Sequence, residues 1–130
     1  MNENSVNLKY AETHEWALLE EGQIVRVGIT DFAQSELGDI VFIGLPEVGR
    51  QVVRNEQIAV VESVKTASDL FSPVTGVVIE VNKTVQDEPE LVNEDAFQAW
   101  LFCIKAENPA ELEQLMDVEA YQQLTEQSQD

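Results

Sequence analysis

Valine and isoleucine recur at every second position in several short runs of this chain. Val25, Val27 and Ile29 alternate with Arg26 and Gly28, and Val77, Ile79 and Val81 alternate with Val78 and Glu80. A period of two is the mark of a strand half-buried in a sheet. The runs "WALLE", "IVRVGI", "DIVFIGL", "RQVV", "IAVVESV", "SDLFS", "GVVIEV" and "WLFCIKA" each predict a strand. Gly22 in "EGQ" marks a hairpin turn, and "PEVG" supplies turn residues between the third and fourth runs. The segment "GQIVRVG" at 22–28 echoes "GVVIEVN" at 76–82. Two such units can form the halves of a sandwich, or share nothing but valine.

Helical signals are brief. In "TDFAQSELG", Asp31 stands three residues before Gln34 at capping-box spacing, and Gly38 can close the helix. In "NPAELEQLM", Asn108 is a candidate cap, Pro109 the first helical residue and Glu111 the third. "DVEAYQQL" predicts a last helical segment. The expectation is one mainly β domain over 1–130, with a core at about 24–106 and an acidic helical segment at 108–126.

Composition narrows the function. The chain has 25 acidic and 7 basic residues, a formal net charge of -18. Such a surface repels phosphate backbones and anionic headgroups, so neither nucleic acid nor membrane is an expected partner. No apolar run reaches membrane-spanning length, and "MNENSVNLKY" lacks the basic and apolar regions of a signal peptide. That predicts a cytoplasmic protein. One cysteine, Cys103, allows no internal disulfide, and one histidine, His14, leaves little from which to build a zinc site or a hydrolytic triad. Cys103 is expected in a strand as a small core hydrophobe.

One basic residue stands out. Lys65 lies where "IAVVESV" ends and "SDLFS" is about to begin, at or beside a hairpin tip. A tip projects its side chain on a rigid stem. Three readings compete: a solvated surface lysine, a Schiff-base lysine, and a lysine displayed for covalent attachment of a travelling cofactor. A Schiff-base lysine needs desolvation or a neighbouring cation. Glu62 and Asp69 nearby favour the charged form instead, which counts against that reading.

The order of motifs decides among them. "GITDFAQSELGDIVFIGLPEVG" at 28–49 and "VVESVKTASDLFSPVTGVVIEVN" at 60–82, with "THEW" at 13–16, "PELVNED" at 89–95 and "WLFCIK", closely resemble the H-protein family of the glycine cleavage system. The resemblance runs from about residue 8 to the C-terminal helix without large gaps. It implies a barrel-sandwich hybrid of two antiparallel sheets with short peripheral helices, the lipoyl-carrier fold. It implies lipoate in amide linkage to Lys65, and a carrier rather than an enzyme. The implied partners are a pyridoxal-phosphate glycine decarboxylase, a folate-dependent aminomethyltransferase, dihydrolipoamide dehydrogenase and the lipoyl-attaching enzyme. By position in the family, Glu62 and Gly76 serve lipoylation, while Thr13, Glu15 and Asp69 form the cleft that receives the loaded arm. Taken alone, Glu15 reads as a surface carboxylate, and Gly76 as a residue required by backbone geometry.

The resemblance fits the inventory of the chain, since a protein with one cysteine has no dithiol of its own. Alternatives are a relay passing lipoyl groups to other proteins, a lipoyl domain of a 2-oxoacid dehydrogenase, an enzyme using Lys65 covalently, and a plain interaction module. Two positions depart from the family pattern. Gly44 stands where an acidic residue is expected, and Ala99 where glycine usually precedes the tryptophan, which matters if that turn needs positive φ.

Overall fold

The structure is a computed structural model that describes residues 8–128. Its strands are β1 Leu8–Tyr10, β2 Glu15–Glu20, β3 Ile24–Ile29, β4 Ile40–Gly44, β5 Gln51–Val52, β6 Gln57–Ser63, β7 Ala67–Phe71, β8 Gly76–Val81 and β9 Phe102–Ala106. The helices are α1 Asp31–Leu37, α2 Lys83–Asp87, α3 Glu90–Glu94 and α4 Val118–Ser128. The larger sheet has the order β1-β2-β3-β9-β8-β5, and the smaller the order β4-β6-β7, with antiparallel pairing in both. Neither sheet closes into a barrel. β1 and β2 extend the larger sheet on the N-terminal side of residues 24–106.

Alternation does build the core. Val25, Val27 and Ile29 of β3 are at most 1 % exposed, and they join Ile43, Val61, Leu70, Phe102 and Ile104 in one contiguous apolar cluster. β8 departs from the expected phase. Gly76 and Val78 are its buried residues, Val77 is half-buried and Ile79 exposed; past the register shift between Val78 and Glu80, Val81 returns to pack against the core. A bulge of this kind moves every later side chain to the other face. The two echoing segments are not halves of a sandwich. β3 and β8 lie in the same sheet, on either side of β9.

The helices correct several expectations. α1 is capped by Thr30 rather than Asp31: Thr30 Oγ1 accepts from the Ala33 N–H at 3.1 Å. Asp31 instead accepts from the Gln34 side chain. "PAELEQ" forms a 3-10 turn in which Asn108 does cap, but Glu111 accepts from Thr75 N at 2.7 Å and Thr75 Oγ1 at 3.1 Å. Its carboxylate ties this turn to the sheet instead of completing a capping box. Ala99 is buried and has no positive φ, so its replacement of glycine is harmless there.

Gly76 is required by packing. A Cβ at this position would lie 2.1 Å from Lys105 O and 2.8 Å from Ile104 Cγ2. The β8 and β9 backbones meet too closely for any side chain. Gly76→Ala should therefore lower the unfolding free energy by about 3 kcal/mol, as forced overpacking does. Urea denaturation checks this, and a loss under about 0.5 kcal/mol, the scale of an innocuous surface change, would contradict it.

Candidate functional site at the β6–β7 tip

β6 and β7 pair with Glu62 opposite Ala67, leaving Ser63 to Thr66 to reverse the chain. Ser63 organises the turn. Its hydroxyl oxygen accepts from Lys65 N at 3.1 Å and Thr66 N at 3.2 Å, while Ser63 N donates to Thr66 O at 2.8 Å. A serine hydroxyl that satisfies two successive amides fixes a turn as an Asx or Ser turn does. Val64 N donates to Asp39 O at 3.0 Å, anchoring the tip to the α1–β4 loop. Lys65 is exposed on this braced turn, and the ion pairs among the described residues, Arg26–Glu20 and Arg50–Glu56, do not include it.

The lysine side chain lies across the end of α1. A Cβ added to Gly38 would sit 3.4 Å from Lys65 Cε, and Gly38 itself has φ +80°. Asn93 of α3 holds this corner. Its side chain accepts from Ile40 N and donates to Gly38 O and Gln34 Oε1, each at 2.9 Å. Neither Ser63 nor Asn93 announces these roles in the sequence, although a serine two residues before an exposed lysine is a turn signal.

A cleft of about 310 Å³ begins beside this corner, lined by Leu37, Ala33, Phe32 and Glu36 of α1, by Ile29, Ser68 and Leu70, and by Thr13 and His14 at its polar end. The apolar majority of these residues suits a hydrocarbon arm, and the polar end suits a polar cargo. A larger cavity of about 630 Å³ lies against Trp16, Phe97 and Tyr121. Its lining does not include Leu37, which adjoins the Gly38 corner.

Glu15 is no surface carboxylate. It is 1 % exposed, opposite Ile29 and on the same side of β2 as the core residue Ala17. One oxygen accepts from the Thr13 hydroxyl and the other from Phe71 N at 2.9 Å. Burial pushes its carboxyl above the usual 4.5, and the bonds from Thr13, Phe71 N and its own N–H offset part of that. Thr13 and Glu15 thus come together at the cleft. Asp69 does not join them: it is exposed on β7, between the cleft-lining Ser68 and Leu70. Glu62 is exposed on β6 beside the tip, whereas Gly76 lies in the other sheet.

Cys103 is buried but lies outside the contiguous core, opposite Arg26 and Glu80 on the other face of β9. Desolvation pushes its thiol up to about 11, which makes it inert as a nucleophile. Among the described residues no group of three or more His, Cys, Asp or Glu side chains could hold a metal ion. No helix there is long and apolar enough to cross a membrane.

A family model described as glycine cleavage H-protein matches residues 8–128. The chain belongs to the glycine cleavage H-protein family. A glycine cleavage system H protein of Marinobacter nauticus is 53 % identical over 93 % of this chain and 94 % of the relative. One from Thermus thermophilus is 52 % identical over 90 % of this chain and 91 % of the relative. The crystal structure of a glycine cleavage system H protein from Mycobacterium marinum superposes with a TM-score of 0.85, at 35 % identity, covering 92 % of this chain and 96 % of that one. Family membership makes the chain a lipoate-carrying, non-catalytic subunit of glycine cleavage.

The family departure at Gly44 has a local physical counterpart. A Cβ there would meet Val60 Cγ1 at 3.0 Å and Phe42 Cε2 at 3.2 Å, so the half-exposed Phe42 ring occupies the space a side chain would need.

The buried acid leaves a signature in stability. A carboxyl raised on folding binds more protons folded than unfolded between its two pKa values, so its charge costs stability at higher pH. Glu15→Gln, which keeps the shape and removes the charge, should raise the unfolding free energy at pH 7 by about 1 kcal/mol. The gain should shrink as the pH falls toward the usual carboxyl value of 4.5. Urea unfolding at pH 7 and pH 5 checks both parts; a variant destabilised at pH 7 would contradict the assignment.

Proposed function

We propose that Lys65 carries lipoate and that the cleft beside Gly38 shelters the loaded arm. The observation that supports this best is the position of Lys65, exposed on a turn clamped by Ser63, with its side chain lying over Gly38, the neighbour of the cleft-lining Leu37. When bound, lipoate supplies a disulfide that takes up the aminomethyl group of glycine and is later reoxidised from the dithiol. The protein residues supply position and shelter. Ser63, Asp39 and Asn93 fix the starting point of the arm, so its flexibility is confined to its own rotors. Leu37, Ala33 and Leu70 exclude water along its length.

Thr13 and Glu15 act as one unit at the polar end. The Thr13 hydroxyl donates to the Glu15 carboxylate, which leaves the Thr13 oxygen lone pairs to accept from the cargo amine. Glu15 contributes its buried negative charge from behind rather than touching the amine. Asp69 adds charge at longer range. Glu62 marks the tip for the lipoyl-attaching enzyme, and Gly76 supports attachment through the sheet that it lets close.

The partners proposed are the pyridoxal-phosphate decarboxylase, the folate-dependent aminomethyltransferase, dihydrolipoamide dehydrogenase and the attaching enzyme, all in the cytoplasm. The net charge of -18 favours partners whose active-site entrances are rimmed with basic residues. The decisive variant is Lys65→Arg. An exposed tip residue contributes within about 0.5 kcal/mol to stability, so the fold should survive, while lipoylation and glycine-dependent reduction are lost because arginine cannot form the amide. Intact mass with tryptic mapping of protein from lipoate-replete cells reads this directly. Wild-type protein cleaved cleanly after Lys65, or Lys65→Arg with full turnover, would overturn the proposal.

A further inference from the structure

His14 lines the cleft beside Thr13 and makes a hydrogen-bond chain into the body of the protein. Its backbone holds φ +73°, a conformation stabilised by His14 N donating to Ala11 O at 2.9 Å and Thr30 N donating to His14 O at 3.0 Å. The ring packs against Phe32 with centroids 5.0 Å apart and meets Tyr121 edge-on at 5.6 Å. His14 Nδ1 lies 2.7 Å from Tyr121 Oη, which lies 2.6 Å from Thr30 Oγ1. Thr30 Oγ1 also accepts from Ala33 N, as the cap of α1.

The proton count along these hydrogen bonds favours one tautomer of the ring. Thr30 and Tyr121 are 5 % and 6 % exposed, so their hydroxyl protons are largely cut off from water. If Thr30 donates to Tyr121 and Tyr121 donates to Nδ1, both protons are used and the neutral ring carries its own on Nε2. In the reverse direction Nδ1–H donates to Tyr121 and Tyr121 to Thr30, and the Thr30 proton has no acceptor in the chain. An imidazolium has a proton on both nitrogens, so it requires the reverse direction. Burial lowers His14 below the usual imidazole value and outweighs the opposing pull of Glu36.

Building on the cleft as the shelter of the Lys65-bound arm, we propose that His14 is a positioning residue whose neutral ring admits the cargo amine and whose protonated ring expels it. A docked ammonium beside the ring disfavours a second positive charge. By linkage, protonating the ring weakens docking by the same factor. The groups facing His14 are Glu36 from α1, Tyr121 from α4 with Tyr10 of β1 stacked on it at 4.7 Å, and Glu15 at the start of β2 behind Thr13. Glu15 also gains a proton as the pH falls, so the two residues are separated by watching His14 itself.

The experiment uses lipoylated protein with ¹⁵N-labelled histidine, titrated by NMR before and after loading with glycine and a trace of the decarboxylase. Intact mass reports loading independently. Loading should lower the His14 midpoint by about one pH unit, equivalent to a tenfold antagonism between ring proton and docked amine. His14→Asn, which tolerates positive φ and stays neutral, should remove the His14 part of the acid-side shortening of cargo lifetime while keeping normal lipoylation. An unchanged midpoint in protein that mass shows to be loaded overturns the role of His14 and leaves Lys65 untouched. An absent mass gain at Lys65 overturns both.

Discussion

A single buried carboxylate joins the two sheets where the cleft opens. Glu15 leaves the larger sheet on its core face and takes the Phe71 amide of the smaller one, while its other oxygen takes the Thr13 hydroxyl. An apolar residue there would leave the Phe71 amide without that partner. An unpaired buried amide costs about 1–3 kcal/mol, whereas burying the carboxylate is also unfavourable. In the proposed function that second cost has a use, because the same charge faces, through Thr13, the end of the cleft that would hold an amine. Stability and shelter are set against each other in one side chain, which is the usual condition of a functional site.

The tip and the cleft depend on different devices. The tip is local: one serine hydroxyl satisfies two amides, and Asp39 anchors Val64. The cleft is assembled at long range, from α1, β7 and the start of β2, with Asn93 reaching from α3 to pin the end of α1. In the proposed function the arm therefore starts from a rigid point near a pocket whose walls come from distant parts of the chain. A carrier that must visit several active sites and return to shelter needs both, a fixed origin and a nearby place to dock.

Local devices were legible in the sequence, and long-range ones were not. Period-two apolar residues located β3, the short apolar runs "IAVVESV" and "WLFCIKA" located β6 and β9, and the break after "IAVVESV" located Lys65. β1 is too short to show a period, and α2 and α3 are only five residues each. The phase of β8 failed because three consecutive apolar residues, Val77 to Ile79, do not say which face is buried, and the bulge that follows is equally silent in the sequence. Composition taken alone suggested a surface position for Glu15, although its spacing with Ala17 and Leu19 put it on the core-facing set. Thr30 displaced Asp31 as the cap of α1, and its hydroxyl also serves Tyr121, a contact spanning 91 residues. Asp69 was grouped with Thr13 and Glu15 by family position, but strand alternation turns it outward.

The proposed path of the arm runs from Lys65 past Gly38 into the cleft along α1. Nuclear Overhauser contacts between the arm methylenes and the methyl groups of Ala33, Leu37 and Leu70 measure this directly, in protein whose loading with glycine-derived cargo is confirmed by mass. This path predicts contacts to all three residues in the loaded state. Their absence in fully loaded protein, with contacts to solvent-exposed residues or none, would contradict it.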